Sequence, residues 1–159
     1  MNIYEYNEFK SDVKRFFKKS ILFYDLNITD VYNGLDKPIQ NYVFLRNKYC
    51  VICLNNLESF PYPDVTPHFY FYNKVGELFK LEDSLIITFL EINKNDFDSY
   101  CIQYNNKFSG KDIFLNNEKG GYWYGIKSIN DLILKFYSKI FNGKLTKDDY
   151  DKFLKKVIM

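Results

Sequence analysis

The sequence predicts an α+β fold: one antiparallel β-meander packed with an N-terminal helix and C-terminal helices, a single domain over residues 1–159. Three observations carry that prediction. Phe9, Val13, Phe16 and Phe17 recur at helical spacing near the start. Aromatic and β-branched runs separated by turn formers fill the middle, and amphipathic stretches with capping residues close the chain. With 47% hydrophobic residues, 159 residues suffice for one core that buries roughly 70% of the unfolded surface. A net charge of +2 against that apolar content excludes wholesale disorder.

The first helix is expected over Glu5–Lys19, with Lys10, Lys14, Arg15, Lys18 and Lys19 facing away from the aromatic stripe. Ile21 to Leu26 either extends this helix or starts a strand. Asn27 to Gln40, with Asn33-Gly34 and Lys37-Pro38, reads as a connecting loop. Tyr49–Leu54 is a β-branched strand ended by Asn55-Asn56, and Pro61–Pro67 is a proline-punctuated loop. The aromatic strand His68–Tyr72 then enters a hairpin turn at Asn73–Gly76. Glu77–Leu81 and Leu85–Ile92 supply one or two more strands, and Asn95 is placed to cap a helix over Asp96–Tyr104.

Beyond a break at Ser109-Gly110, Asp112–Leu115 reads as a short strand, Asn116–Gly121 as a turn and Tyr122-Trp123-Tyr124 as an aromatic strand. Ser128 precedes a helix carrying Ile129, Leu132, Ile133, Phe136, Tyr137 and Ile140, which Asn142-Gly143 ends. Thr146 caps a last helix, in which Asp148 and Asp149 at the start and Lys155 and Lys156 near the end complement the helix dipole. No repeat, linker or low-complexity tract interrupts the chain.

The apolar runs are too short to span a bilayer, so no membrane association is expected. Met1–Glu8 has neither the basic nor the apolar region of a secretory signal, and three cysteines suit a reducing compartment. A cytoplasmic location is the expectation. The absence of alanine beside 16 Phe and 15 Tyr points to a low-GC gene, as in a bacterium, a mobile element or a large virus.

Cys50 and Cys53 form a C-x-x-C and, with Cys101 and His68, make a nominal zinc set. Residues three apart in a strand face opposite sides, so the two thiols diverge and read as buried structural cysteines. No metal and no cofactor are expected. His68 is the only histidine, and neither a nucleophile elbow nor a phosphate-binding glycine loop is present, so no catalytic residue is assigned. An enzyme built on His68 and Asp64 is the weakest reading. The alternative with more support is a small nucleic-acid-binding or regulatory protein using the basic N- and C-terminal helices. Two arginines in the whole chain leave few bidentate phosphate contacts for it.

Charge is distributed unevenly. From Glu58 to Asp98, eight acids stand against Lys74, Lys80 and Lys94, while the flanking segments are net positive. An acidic sheet region with exposed tyrosines suits a basic protein partner, because complementary charge steers association and tyrosine is a frequent interface anchor. Asp64, Tyr70, Tyr72, Glu77, Glu82, Asp83 and Glu91 are the candidate contacts. The plain competing reading is that these acids keep sheet edges soluble.

The order of features in Val75–Ile92, Asn95–Tyr104, Asn116–Gly121, Tyr122-Trp123-Tyr124 and Ser128–Tyr137 resembles the small bacterial immunity proteins of contact-dependent growth inhibition and related polymorphic toxin systems. In those proteins a meander is followed by a short helix, a polar turn, an aromatic strand and a closing amphipathic helix. The resemblance covers less than half of the chain. It implies a non-enzymatic protein that neutralises a cognate toxin C-terminal domain, commonly a nuclease, by steric and electrostatic blocking.

Overall fold

Five strands lie side by side in chain order: β1 (Asn27–Thr29), β2 (Tyr42–Arg46), β3 (Cys50–Leu57), β4 (Asp64–Tyr72) and β5 (Leu78–Lys80). Each neighbouring pair is antiparallel, so the sheet is the meander that the sequence predicts. The computed structural model describes residues 6–29, 42–57, 64–72, 75–100 and 122–158. The expected turns at Asn33-Gly34, Lys37-Pro38 and Asn116–Gly121, the break at Ser109-Gly110 and the strand at Asp112–Leu115 lie outside those residues, as do Cys101 and the end of the Asp96–Tyr104 helix.

Strand alternation assigns the two faces. Val43, Leu45, Cys50, Ile52, Leu54, Phe69 and Phe71 are buried on the inner face. The register puts Arg46, Val51 and Tyr70 in one cross-strand row of the outer face, and Phe44, Cys53 and His68 in the next. Among the described residues seven helices complete the α+β architecture: α1 (Tyr6–Phe16), α2 (Lys18–Tyr24), α3 (Asp83–Phe89), α4 (residues 94–100), α5 (Tyr122–Phe136), α6 (Ser138–Phe141) and α7 (Lys147–Ile158). Helix α5 packs on β4 and α1, and Ile126, Ile129 and Ile133 join Phe9 and Val13 in the core. The same core extends to Tyr150, whose ring lies 5.0 Å from that of Phe89 and 6.3 Å from that of Phe71.

Several expected elements change on folding. The first helix divides at Phe17 (φ −95°, ψ 6°), and Ile21 belongs to α2 rather than to a strand. Asn27–Thr29, expected in a loop, pairs with β2. Asn55-Asn56 does not end β3, because Tyr42, Thr66 and Val65 oppose these residues and tertiary pairing overrides their turn preference. Asp64–Pro67 is strand instead of loop. Since β5 reaches only Tyr70–Tyr72, Pro67 has one described strand neighbour and sits where the missing N–H is tolerated.

Leu85–Ile92, expected as a strand, belongs mostly to α3. Its buried Ile86, Phe89 and Leu90 follow the helical period. Tyr122-Trp123-Tyr124 is the first turn of α5 and not a strand, so Ser128 lies within that helix. Helix α4 is capped by Asn93 in place of Asn95: the Asn93 Oδ1 accepts from the Asp96 N–H at 3.1 Å. The Thr146 cap of α7 is present as expected, with Asp149 Oδ2 accepting from the Thr146 N–H at 2.9 Å.

Candidate functional site

Glu77, Glu82 and Asp83 flank the short edge strand β5, and Glu91 follows the helix that comes after it. Gly76 turns the β4–β5 hairpin at φ 83°, a backbone conformation that needs no Cβ. Glu77 follows it, exposed, and β5 is an edge strand of only three residues. Glu82 is the N-cap of α3 and Asp83 lies in its first turn, both exposed. There an acid is favoured by the helix dipole. Glu91 stands past the other end of this helix, about one helix length of roughly 10 Å away.

Glu91 is held in a left-handed conformation (φ 56°). Its N–H bonds to the Thr88 carbonyl and that of Ile92 to the Ile87 carbonyl, each at 3.1 Å. This is the two-bond helix stop in which glycine is usual. An acid is therefore kept at a strained position on the acidic edge. Apolar surface accompanies the charge: Val75 is 77% exposed and Phe79 38% exposed.

The remaining candidates sit elsewhere. Tyr70 and Tyr72 share the outer sheet face, opposite Lys80 and Leu78 respectively, and both are half-buried. Burial raises the Tyr72 hydroxyl above its ordinary pKa, partly offset by Arg46, which hydrogen-bonds to it. Asp64 opens β4 at its opposite end, opposite Leu57 and about 27 Å from Tyr72 at the strand rise of ~3.4 Å per residue. It does not join the acidic edge.

Cys50 and Cys53 diverge as strand geometry requires. Cys50 lies on the inner face and Cys53 on the outer, both as free, buried thiols. Burial pushes the Cys50 thiol far up and the Cys53 thiol up to about 12. Among the described residues no group of three His, Cys, Asp or Glu side chains comes together. His68 faces Cys53 across the β3–β4 ladder, and its Nδ1 is buried without a hydrogen-bond partner. Burial lowers its pKa and nearby Lys80 lowers it further, against a smaller opposing effect of Asp83. Asp64 starts β4 four residues away from His68.

Val75 and Phe79 are the edge residues that the sequence did not single out. Phe79 pairs with Phe71 on the inner-face register, yet β5 is the last strand and leaves its ring partly uncovered. Compared with known proteins, the chain matches no family model, and no curated protein or solved structure is significantly similar to it. Among the described residues no helix is long and apolar enough to cross a membrane.

Proposed function

We propose that this chain is an immunity-type protein, which binds a cognate bacterial toxin domain, a nuclease, in the cytoplasm and neutralises it by blocking. The observation that carries this reading is the mixed acidic and apolar edge, in which Glu77, Glu82, Asp83 and Glu91 are exposed beside Val75 and Phe79. A nuclease presents a basic substrate groove. Carboxylates steer its approach, while an apolar pair supplies desolvated contact. The sheet and α3 hold this edge in place without a partner, so little ordering cost is met on binding.

The test is co-expression with the product of the gene immediately upstream. Toxicity of that product, relieved by this chain with one co-eluting complex, supports the reading; a harmless neighbour and no complex removes its support. Reversing Glu77, Glu82 and Asp83 to lysine is expected to slow association about tenfold at low salt. Unchanged rate and salt dependence would discard the edge as the interface.

A second reading, nucleic-acid binding or regulation through the basic helices, draws on Lys14, Arg15, Lys18 and Lys19, all exposed on α1 and α2. Leu22 and Phe23, 74% and 71% exposed, lie beside them. Oligonucleotide binding with a steep salt slope, lost on replacing these four cations by glutamine, would favour it.

A further inference from the structure

At the sheet end bearing the β2–β3 turn, a half-open cleft of about 580 Å³ lies between that turn, the C-terminus of α2 and the end of β4. Its volume falls in the range of small-molecule sites. The chemistry of its wall is specific. Arg46, at the end of β2, faces it and is hydrogen-bonded to the Tyr72 hydroxyl two strands away, so the guanidinium reaches across β3. Tyr72 orients the guanidinium yet leaves most of its five N–H donors for other acceptors. Lys48 Nζ lies 5.0 Å above the Tyr49 ring on the same wall. Among the described residues neither cation is ion-paired with a carboxylate.

The backbone around the cleft is fixed. Asn47 ties the turn to α2 and α6 through its side-chain amide. Tyr24 is buried beneath, its hydroxyl hydrogen-bonded to Ser138. Asp25 lines the same wall and holds φ 55°, a left-handed position where glycine would be less strained. Two cations against this one acid leave the wall with a net charge of +1, which matches a single negative charge better than a phosphate dianion. The ring of Tyr72 offers flat apolar surface to the body that carries the charge.

We infer that this cleft is a binding site for a monocarboxylate with a planar body, the carboxylate received by Arg46 and Lys48. This does not rest on the acidic edge or on the immunity reading. The carboxylate can belong to a free aromatic acid or to an acidic side chain of a partner protein beside an aromatic one; the site chemistry is the same.

Amide NMR of the full chain, titrated with 3-phenylpropionate and with the neutral isostere 3-phenylpropanamide, tests the inference. Saturable shifts at Asn47, Lys48 and Tyr49 are expected with the acid, and at least about tenfold weaker binding with the amide, since a charge-assisted fork is lost. Arg46→Gln is expected to weaken the acid by about tenfold while leaving the spectrum elsewhere unchanged, because the residue is exposed. Tyr72→Phe, which releases the guanidinium, is expected to weaken it less. Equal binding of acid and amide, no saturable shift, or an unchanged Arg46→Gln variant would overturn the assignment. Titration with N-acetyl-Tyr-Asp-amide separates the sources. Tighter binding than the free acid assigns the site to a protein side chain, and weaker binding to a small acid.

Discussion

The side-chain amide of Asn47 donates to the Tyr24 carbonyl at 2.9 Å, joining the β2–β3 turn to the end of α2. The same nitrogen donates to the Phe141 carbonyl at 2.9 Å, so two helix-end carbonyls left over by their own helices are satisfied by one residue. Its Oδ1 accepts from the Tyr49 and Cys50 amides at 2.8 and 3.1 Å. Asn47→Ala strands all four groups at once and is expected to cost about 2–3 kcal/mol. Asn47→Asp puts an anionic oxygen against the two carbonyls and is expected to be no milder. Urea unfolding checks both; a loss under half a kcal/mol for Asn47→Ala would show that water replaces these bonds freely.

Tyr150 fastens α7 to the start of α3. Its ring is fully buried among Phe71, Phe79, Phe89 and Phe153, and its hydroxyl accepts from the Glu82 amide at 3.0 Å. Glu82 has no side-chain cap of its own, so this hydroxyl serves an otherwise uncapped helix start. Tyr150→Phe keeps the ring and is expected to cost about 1 kcal/mol. Tyr150→Ala leaves a large cavity and is expected to cost about 3–5 kcal/mol. Equal losses in the two variants would assign the whole effect to the hydrogen bond.

Glu91 is expected to be more stabilising as glycine than as glutamate. At φ 56° a Cβ is strained, and the helix stop around it depends only on backbone groups, so Glu91→Gly should add about 0.5–1 kcal/mol. The opposite case is Gly143, at φ 80° and packed against the Tyr49 ring where a Cβ would stand. Gly143→Ala is expected to lose more than Glu91→Gly gains. If Glu91→Gly stabilises the chain but weakens a partner complex, the strain at this position serves binding.

The meander and the two terminal helical regions were legible because each rests on local periodicity, as in Phe9, Val13 and Phe17 or in His68–Tyr72. Leu85–Ile92 was not. Four β-branched residues in a short apolar run read equally as strand or helix, and only burial of Ile86, Phe89 and Leu90 on one side decides. Tyr122–Tyr124 misled likewise, since aromatic residues favour strands but here open a long helix. At the candidate edge, the charge run from Glu77 to Glu91 was readable as composition. The separation of Asp64 was not, because β4 begins within a proline-rich segment and carries that residue to the far end of the sheet. The cleft joins Asp25, Arg46 and Tyr72, whose ends lie 47 positions apart in the chain, a relation that no local pattern encodes.

His68 makes stability depend on pH in a known direction. Its pKa is lowered on folding by burial and then by Lys80, so the folded chain binds fewer protons than the unfolded chain near the ordinary histidine value of 6.5. The contribution is present above that value and is lost as pH falls through the depressed folded value. The melting temperature is expected to drop as pH goes from about 7 to 5.5, before carboxylates titrate. His68→Gln, which cannot charge, should flatten that part of the curve. As His68 is the only histidine, a wild-type slope retained in the variant would exclude it as the source.

The two described thiols titrate at the other end of the scale. Cys53 is pushed up to about 12 from the ordinary 9.0, by burial against a smaller lowering by Lys80, and Cys50 is raised further by burial alone. Both favour the protonated fold, so their contribution is complete below about pH 9 and is lost as pH rises toward the folded values. In a Cys101→Ser background, neither thiol should react with a disulfide reagent at pH 8 faster than the chain unfolds, since only the thiolate attacks. Oxidation should also give no Cys50–Cys53 bridge: the strand sends the two side chains to opposite faces of the sheet, and a disulfide needs their Cβ atoms about 4 Å apart. Mass spectrometry of the oxidised, folded chain measures this directly. A prompt intramolecular disulfide would require β3 to open, and would mean that the centre of the sheet is far less stable than its burial implies.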